Sequence, residues 1–438
     1  MDWQIIGLIL FGIMFLLLFL GIPVSVSLLV SVLIGFVVFV NPVLGVEHVI
    51  NSFLYSVAKF TLTPVPLFIL AGNLLFHSGV AMRCIHCVSK WMGAMPARLS
   101  FISVIAGTLF GAISGSTLAS HSLLTSVLYP EMKKNNYSEA LSLGPILASG
   151  GLAMIIPPSS QSVFYAAIAQ ISVAGILIGG ILPGILMAIG YSLVILLRVA
   201  INPSHAPKYQ VENITWKERF HSFLVDLLPS GFIILLMLVF ILFGITTPTE
   251  AAAVGFVASV IVVAGYRCLT WEVIKKTAIA SMETTGMLFF IAITADAYGK
   301  LLAHTQVSPS IVKWVASLDM APHALIVAML VLVVIMGCFM DNVAIMMITI
   351  PFFIPIVQSL GFDPIWFALM MLIAIQIGLT TPPFGLGLFV VKGLLPHAKA
   401  KDLYLSAVPF LISDSCVIAL ILLFPNIVLY IPGMMNLL

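Results

Sequence analysis

Two pairs of short polar segments, rich in glycine and proline, stand out in an otherwise apolar chain. The first pair is "SGSTLAS" (Ser114–Ser120) followed by "SGGLAMIIPPSSQS" (Ser149–Ser162); the second is "GCFMDNVA" (Gly337–Ala344) followed by "GLTTPPFGLG" (Gly378–Gly387). Proline removes a backbone N–H and displaces the carbonyl of the preceding turn, and glycine permits dihedrals that other residues avoid. A helix broken in this way offers carbonyl oxygens to a hard cation such as Na⁺, and its second half offers free N–H groups to an anion. Serine, threonine, asparagine and aspartate add oxygens with little bulk.

Asp341 is the sharpest single residue, because a carboxylate within a membrane segment points to function, with a structural helix cap as the alternative. Glu250, in "TPTEAAAVG", reads as a first-turn acid complementing a helix dipole. Asp296 and Glu283 share one apolar span, where they would line a cavity or pair with Lys300; Asp414 is similarly ambiguous. His121 lies between Ser120 and Ser122, but neighbours on a helix point apart and no third partner is evident, which argues against a hydrolase. Cys84-Ile85-His86-Cys87 has C-x-x-C spacing without a second ligand pair, so the four read as ordinary interfacial residues. No G-x-x-x-x-G-K-[ST] motif occurs, so ATP is not taken up through a P-loop and an ion gradient is the remaining ordinary energy source.

The elements that must carry these residues are membrane helices. The 438-residue chain is 61% hydrophobic and 8% charged, with a mean hydropathy of +1.21; a soluble domain needs about 25% charged residues. The net charge of +2 and the lack of basic runs give no reason to expect nucleic acid. Asp2 stands where a signal peptide carries positive charge, so Ile5–Leu20 reads as a retained first span. Further apolar stretches run about 23–40, 53–76, 99–129, 138–170, 172–200, 226–244, 248–266, 283–303, 322–358, 364–394 and 404–431.

Lys and Arg set the sidedness. Arg83, Lys90, Arg98, Lys133 and Lys134 flank 99–129 at both ends, which makes it a re-entrant hairpin opening inward. The segment 322–358 lacks such flanks and reads as a hairpin opening outward. Lys300 and Lys313 are minor exceptions, and both termini come out on the outer face. Pro130, Pro157, Pro158 and Pro23 coincide with Pro355, Pro382, Pro383 and Pro248 at one shift of 225 (355 − 130). The expectation is an all-α polytopic membrane protein with an inverted-topology repeat, two re-entrant hairpins and two discontinuous helices, the architecture of secondary transporters. Residues 1–200 form the first repeat, 201–225 a cytoplasmic amphipathic linker and 226–438 the second repeat.

Over essentially its full length the chain resembles the large membrane subunit of tripartite ATP-independent periplasmic (TRAP) transporters. The resemblance is carried by "LFLGIPVSVSL" (Leu18–Leu28), "PLFILAGNLL" (Pro66–Leu75), "LFGAISGSTLAS" (Leu109–Ser120), "PPS" (Pro157–Ser159), "TPTEAAAVG" (Thr247–Gly255) and "GLTTPPFGLGLFV" (Gly378–Val390). It implies an elevator-type importer of the ion-transporter superfamily in a bacterial inner membrane, taking up small organic anions with Na⁺. The implied partners are a small four-helix membrane subunit and a periplasmic substrate-binding protein. Carried onto these residues, one Na⁺ would meet Ser114, Gly115, Ser116, Gly150 and Gly151. Another would meet Gly337, Asp341, Asn342, Gly378, Thr380 and Thr381. Thr117, Pro158, Ser159, Ser160 and Pro383 would contact the anion. The wording departs from the family at Ser160 and Gln161 and at "CFMDNVA".

Overall fold

A computed structural model describes residues 2–57, 59–93, 95–206, 214–317, 320–435 and 437, with the side chains of 42–46, 56–57, 113–114 and 316 outside the description. The described residues are mostly helical and contain no strand. This follows from the solvent that the composition selects: in hydrocarbon every backbone N–H and C=O must find a partner within the protein, and a helix satisfies them within one segment. Seven helical stretches are long and apolar enough to cross a membrane, among them Val173–Ile201, Trp271–His304 and Ala400–Leu423.

The element boundaries reproduce the shift between the two halves. Helices Arg98–Ser114 and Thr117–Lys134 pack together as one pair, and Pro322–Gly337 and Asn342–Ser359 as the other. The second members start 225 residues apart (342 − 117) and end 225 apart (359 − 134). Each pair is followed by an interrupted helix. The first runs Glu139–Gly150, tightens into a 3₁₀ turn at Gly151–Met154 and resumes at Ser160–Ala169; the second runs Pro364–Leu379 and resumes at Leu386–Leu394. Both double prolines, Pro157–Pro158 and Pro382–Pro383, lie in the interruptions with a cis bond between them.

The remaining helices brace this centre. Val24–Phe39 packs along Trp271–His304, while Pro248–Gly265 packs along Pro64–His77. Ala400–Leu423 lies against Glu139–Gly150, where Gly144 lets the Phe410 ring and the Ser406 carbonyl approach the backbone closely. Trp366 is anchored in the core by its indole N–H, which donates to the Ile421 carbonyl at 2.9 Å.

Several boundaries differ from those expected from hydropathy. The stretch 53–76 divides into Pro42–Val57, a short turn at Phe60–Leu62 and Pro64–His77, because Pro64 is pre-set for a helix's first turn and cannot continue one. The stretch 172–200 divides at Gly180 into Val173–Gly179 and Ile181–Ile201. In the 201–225 linker, residues 207–213 lie outside the described residues, and a helix starts at Trp216 under a Thr215–Glu218 capping box. It continues through a π turn at Phe223–Leu227 into Leu228–Leu242, so the linker's end belongs to a long helix. The first helix pair extends past Pro130 to Lys134.

Candidate functional site

The tip of the first helix pair is Gly115-Ser116. Gly115 has φ 58, a left-handed conformation that glycine adopts without cost, and it closes the first helix by donating its N–H to the Gly111 carbonyl at 2.8 Å. Ser116 caps the second helix, its hydroxyl accepting from Ala119 N–H at 3.3 Å. The tip of the second pair is built to the same plan, with Asp341 at the capping position. Its Oδ1 accepts from the N–H groups of Val343 and Ala344 at 2.9 and 3.1 Å. Ser116 and Asp341 are 225 apart, so the alignment that paired them in sequence pairs two N-caps in space.

Each tip is docked on the interruption that follows it. At the first, Ser160 Oγ donates to the Gly115 carbonyl at 2.8 Å, and a Cβ on Gly115 would lie 2.9 Å from Ser160 N and Oγ. At the second, Gly337 and Gly378 meet backbone to backbone: a Cβ on either would fall 2.6 or 2.7 Å from the other's Cα. The first half of each interrupted helix packs within its own pair, whereas the second half crosses to the other pair. Ser160–Ala169 contacts Asn342–Ser359, and Leu386–Leu394 contacts Thr117–Lys134.

The two interrupted helices therefore cross beside their interruptions, and the crossing point is Gly151 against Gln376, one turn before the second helix breaks. The bare Cα of Gly151 faces the Gln376 amide so closely that a Cβ there would lie 1.7 Å from Nε2. These two residues are themselves one shift apart (376 − 151 = 225). Gln376 is fully buried, and both of its amide atoms lack a hydrogen-bond partner among the described residues. His121 lies beside the same crossing: Nε2 donates to the Leu147 carbonyl at 2.8 Å, and the ring covers Gly150 and approaches Gly387. Gln376 was not among the residues expected from sequence, although the proline shift places it directly opposite Gly151.

The Ser159, Ser162, Thr380 and Thr381 hydroxyls at the interruptions are each spent on a carbonyl of their own segment. Ser159 and Ser162 hydroxyls both donate to the Met154 carbonyl, at 3.0 and 2.7 Å. Thr380 Oγ1 donates to the Gln376 carbonyl at 2.9 Å and Thr381 Oγ1 to that of Ile377 at 2.6 Å. A hydroxyl that has spent its proton on a carbonyl presents lone pairs elsewhere, which is the donor set a hard cation requires.

The anticipated contact residues do not all converge. Gly115, Pro158 and Ser160 line one narrow cleft with Phe68, Met237 and Ser259; Thr117 and Ser159 are buried nearby in the chain. Pro383 lines a different cleft with Lys392 and Tyr404, and its carbonyl accepts from the Tyr404 hydroxyl at 3.1 Å. The Ser114 side chain lies outside the described residues. Asn342 is buried at the first position of its helix. Glu250 is a capping partner of Thr247, and Glu283 is exposed. Cys84 and Cys87 are buried, with Cys84 Sγ 3.1 Å from Ser230 Oγ.

A helical chain with this many apolar spans, interrupted at matched positions, is a multi-pass membrane protein, and comparison with known proteins gives its kind. Residues 11–427 match the family described as tripartite ATP-independent periplasmic transporter, DctM component. The chain belongs to that family, whose members are permeases of TRAP-type secondary transport in the inner membrane.

It is 32% identical over 376 residues to the C4-dicarboxylate TRAP transporter large permease protein DctM of Pseudomonas aeruginosa, covering 85% of each chain. It is 28% identical to the ectoine TRAP transporter large permease protein TeaC of Halomonas elongata (95% of this chain, 96% of the other). The sialic acid TRAP transporter large permease protein SiaM of Vibrio cholerae is 27% identical over the same shares. Among solved structures, the Alcanivorax borkumensis YdaH transporter aligns with a TM-score of 0.64 at 13% identity, covering 86% of this chain and 88% of that one, a likeness of fold.

Proposed function

We propose that this chain imports a small organic anion together with Na⁺ by an elevator movement. In this reading the two halves are inverted repeats and the two helix pairs are re-entrant hairpins, the first opening inward and the second outward. Both hairpins and both interrupted helices move as one body against the bracing helices. A soluble periplasmic protein delivers the anion, and a small four-helix membrane subunit completes the assembly. The relatives named for C4-dicarboxylates, ectoine and sialic acid handle solutes that each carry a carboxylate, which is the cargo class we assign here.

The observation that carries this reading is the crossing of the two interrupted helices at Gly151 and Gln376, each interruption docked on its own tip. Irregular backbone at membrane depth is tolerated only where protein buries it or a wet cavity adjoins it. Crossed interrupted helices bring unwound carbonyls and half-helix N-termini of opposite direction into one region, a cation set beside an anion set. Gly115, Ser116, Gly150 and Gly151 would supply one Na⁺ site. Gly337, Asp341, Asn342, Gly378, Thr380 and Thr381 would supply the other, and Thr117, Pro158, Ser159 and Ser160 would face the anion.

The test is uptake of a labelled carboxylate such as succinate into proteoliposomes holding this chain with its partner subunit and binding protein. With an inward Na⁺ gradient the solute accumulates above the outside concentration; with K⁺ in place of Na⁺ accumulation stops. Equal accumulation in K⁺ would overturn Na⁺ coupling, and accumulation by the chain alone would overturn the need for the delivering protein.

A further inference from the structure

Away from the crossing lies a second polar cavity of about 370 Å³, within the roughly 300–1,000 Å³ of small-molecule sites. Its wall holds three charged groups in one cluster. Lys59 Nζ sits 2.8 Å from Asp296 Oδ1, and Lys300 Nζ sits 2.8 Å from Asp296 Oδ2. Two ammonium groups share one carboxylate, so the cluster carries one net positive charge, and no other charged side chain lines the cavity among the described residues. Both carboxylate oxygens are already engaged, while the lysines are not exhausted. An ammonium has three N–H donors. Lys59 spends one on Asp296 Oδ1, and Lys300 spends one on Ser52 Oγ at 3.1 Å while facing Asp296 Oδ2 as an ion pair without a hydrogen bond. The lysine side chains are 32% and 43% exposed against 17% for the aspartate, so the uncommitted donors face open space.

An uncompensated charge in a membrane segment is expensive and calls for a counter-ion. Low-dielectric walls focus its field and raise the local concentration of anions. The rest of the wall explains what kind of anion. Ala292, Ala295 and Gly299 of the long helix face Ile350 and Pro351 of the second helix pair across the cavity. The charged cluster is thus set among small and apolar side chains, with Gln170 and Ser308 as further polar groups, which suits a carboxylate on a short carbon skeleton better than a small hydrated halide.

We propose that Lys59 and Lys300 form a carboxylate-binding entry site, distinct from the crossing, between the bracing helix Trp271–His304 and the second helix pair. It rests on the reading that the cargo is a carboxylate. Asp296 is a positioning residue: it holds both ammonium groups at the cavity wall and lowers their joint charge to a value from which the anion can leave.

The experiment uses the full chain in lipid nanodiscs in K⁺ buffer without Na⁺, so that failure of the Na⁺-coupling reading does not touch it. Lysine acetylation at Lys59 and Lys300 is followed by mass spectrometry against increasing succinate, with Lys401 as a control. Succinate is expected to protect both lysines saturably and to leave Lys401 unprotected. Losing one charge-assisted contact in Lys300→Gln weakens protection at Lys59 about tenfold or more. Asp296→Asn, which raises the net charge, keeps or tightens it. A purely structural ion cluster would show no protection by succinate, and that result overturns the proposal. Protection undiminished in Lys300→Gln overturns it equally.

Discussion

The two tip-and-interruption units share one plan, each with a close glycine contact (Gly111 on Ala153, Gly337 on Gly378), and differ in what else closes them. The first is locked by a polar contact, Ser160 Oγ on the Gly115 carbonyl, with Ser159 and Ser160 at 0% and 5% exposure. The second is closed by shape: Gly337 and Gly378 touch backbone to backbone, and Phe339 stacks obliquely on Phe384, which is 54% exposed. A hydrogen bond can be exchanged for one to a ligand or water at small net cost, whereas a glycine contact admits no substitute. The first unit thus adds a latch to its glycine contact, and the second relies on a glycine joint whose outer rim is open. Matched topology does not impose matched mechanics.

The largest effect should come from attacking the joint. Gly378→Ala puts a Cβ 2.7 Å from the Gly337 Cα and 2.8 Å from the Val334 carbonyl, where only backbone movement gives relief. Its counterpart is Ala153 (378 − 153 = 225), which already carries a Cβ and faces Gly111. Overpacking against backbone costs about 1–3 kcal/mol or more, whereas Ala153→Gly costs about 0.5–1 kcal/mol. Thermal unfolding in detergent should therefore rank Gly378→Ala well below wild type and Ala153→Gly close to it. Equal loss in both would erase the distinction between joint and latch.

The plan of the fold was legible because prolines and glycines act locally: the double prolines stand where helices break, Pro130 and Pro355 stand inside the second members of the pairs, and the shift of 225 survives in both roles. Pro64 and Gly180 also act locally, but inside apolar runs, where hydropathy alone hid the divisions they cause. The crossing was less legible. Gly150 and Gly151 were selected as flexible backbone, but their reason is contact, with His121 and Gln376 lying where side chains would go. Glutamine in an apolar helix gives no periodic signal, and only its position opposite Gly151 marks it. Asp296 was legible as a partner of Lys300; that Lys59 joins them across 237 residues is a tertiary fact that no local pattern encodes.

A smaller effect separates the caps. Asp341 accepts two N–H groups through one oxygen at 2.9 and 3.1 Å, and Ser116 accepts that of Ala119 at 3.3 Å. Loss of an N-cap costs about 0.5–2 kcal/mol, so Asp341→Ala should lower the unfolding temperature more than Ser116→Ala. Asn keeps the capping oxygen and removes the charge. If the carboxylate also holds Na⁺, as proposed, Asp341→Asn retains stability and loses Na⁺-dependent uptake. Wild-type uptake with wild-type Na⁺ dependence in Asp341→Asn would reduce the residue to a cap.

The smallest effect tests the place where the two units meet. Gly151→Ala collides with the end of a flexible side chain, not with backbone, so Gln376 can swing aside and the cost falls below that of Gly378→Ala. Removing the amide in Gln376→Ala frees that space and also deletes two unpartnered polar atoms from the interior, a change that is close to neutral once the lost packing is counted. The double variant Gly151→Ala with Gln376→Ala should then be more stable than the sum of its parts by about 0.5–3 kcal/mol, the range found for residues in contact. Unfolding temperatures of the four proteins give that coupling directly. Strict additivity would mean that Gly151 and Gln376 do not touch in the folded protein, and the two interrupted helices would no longer cross there.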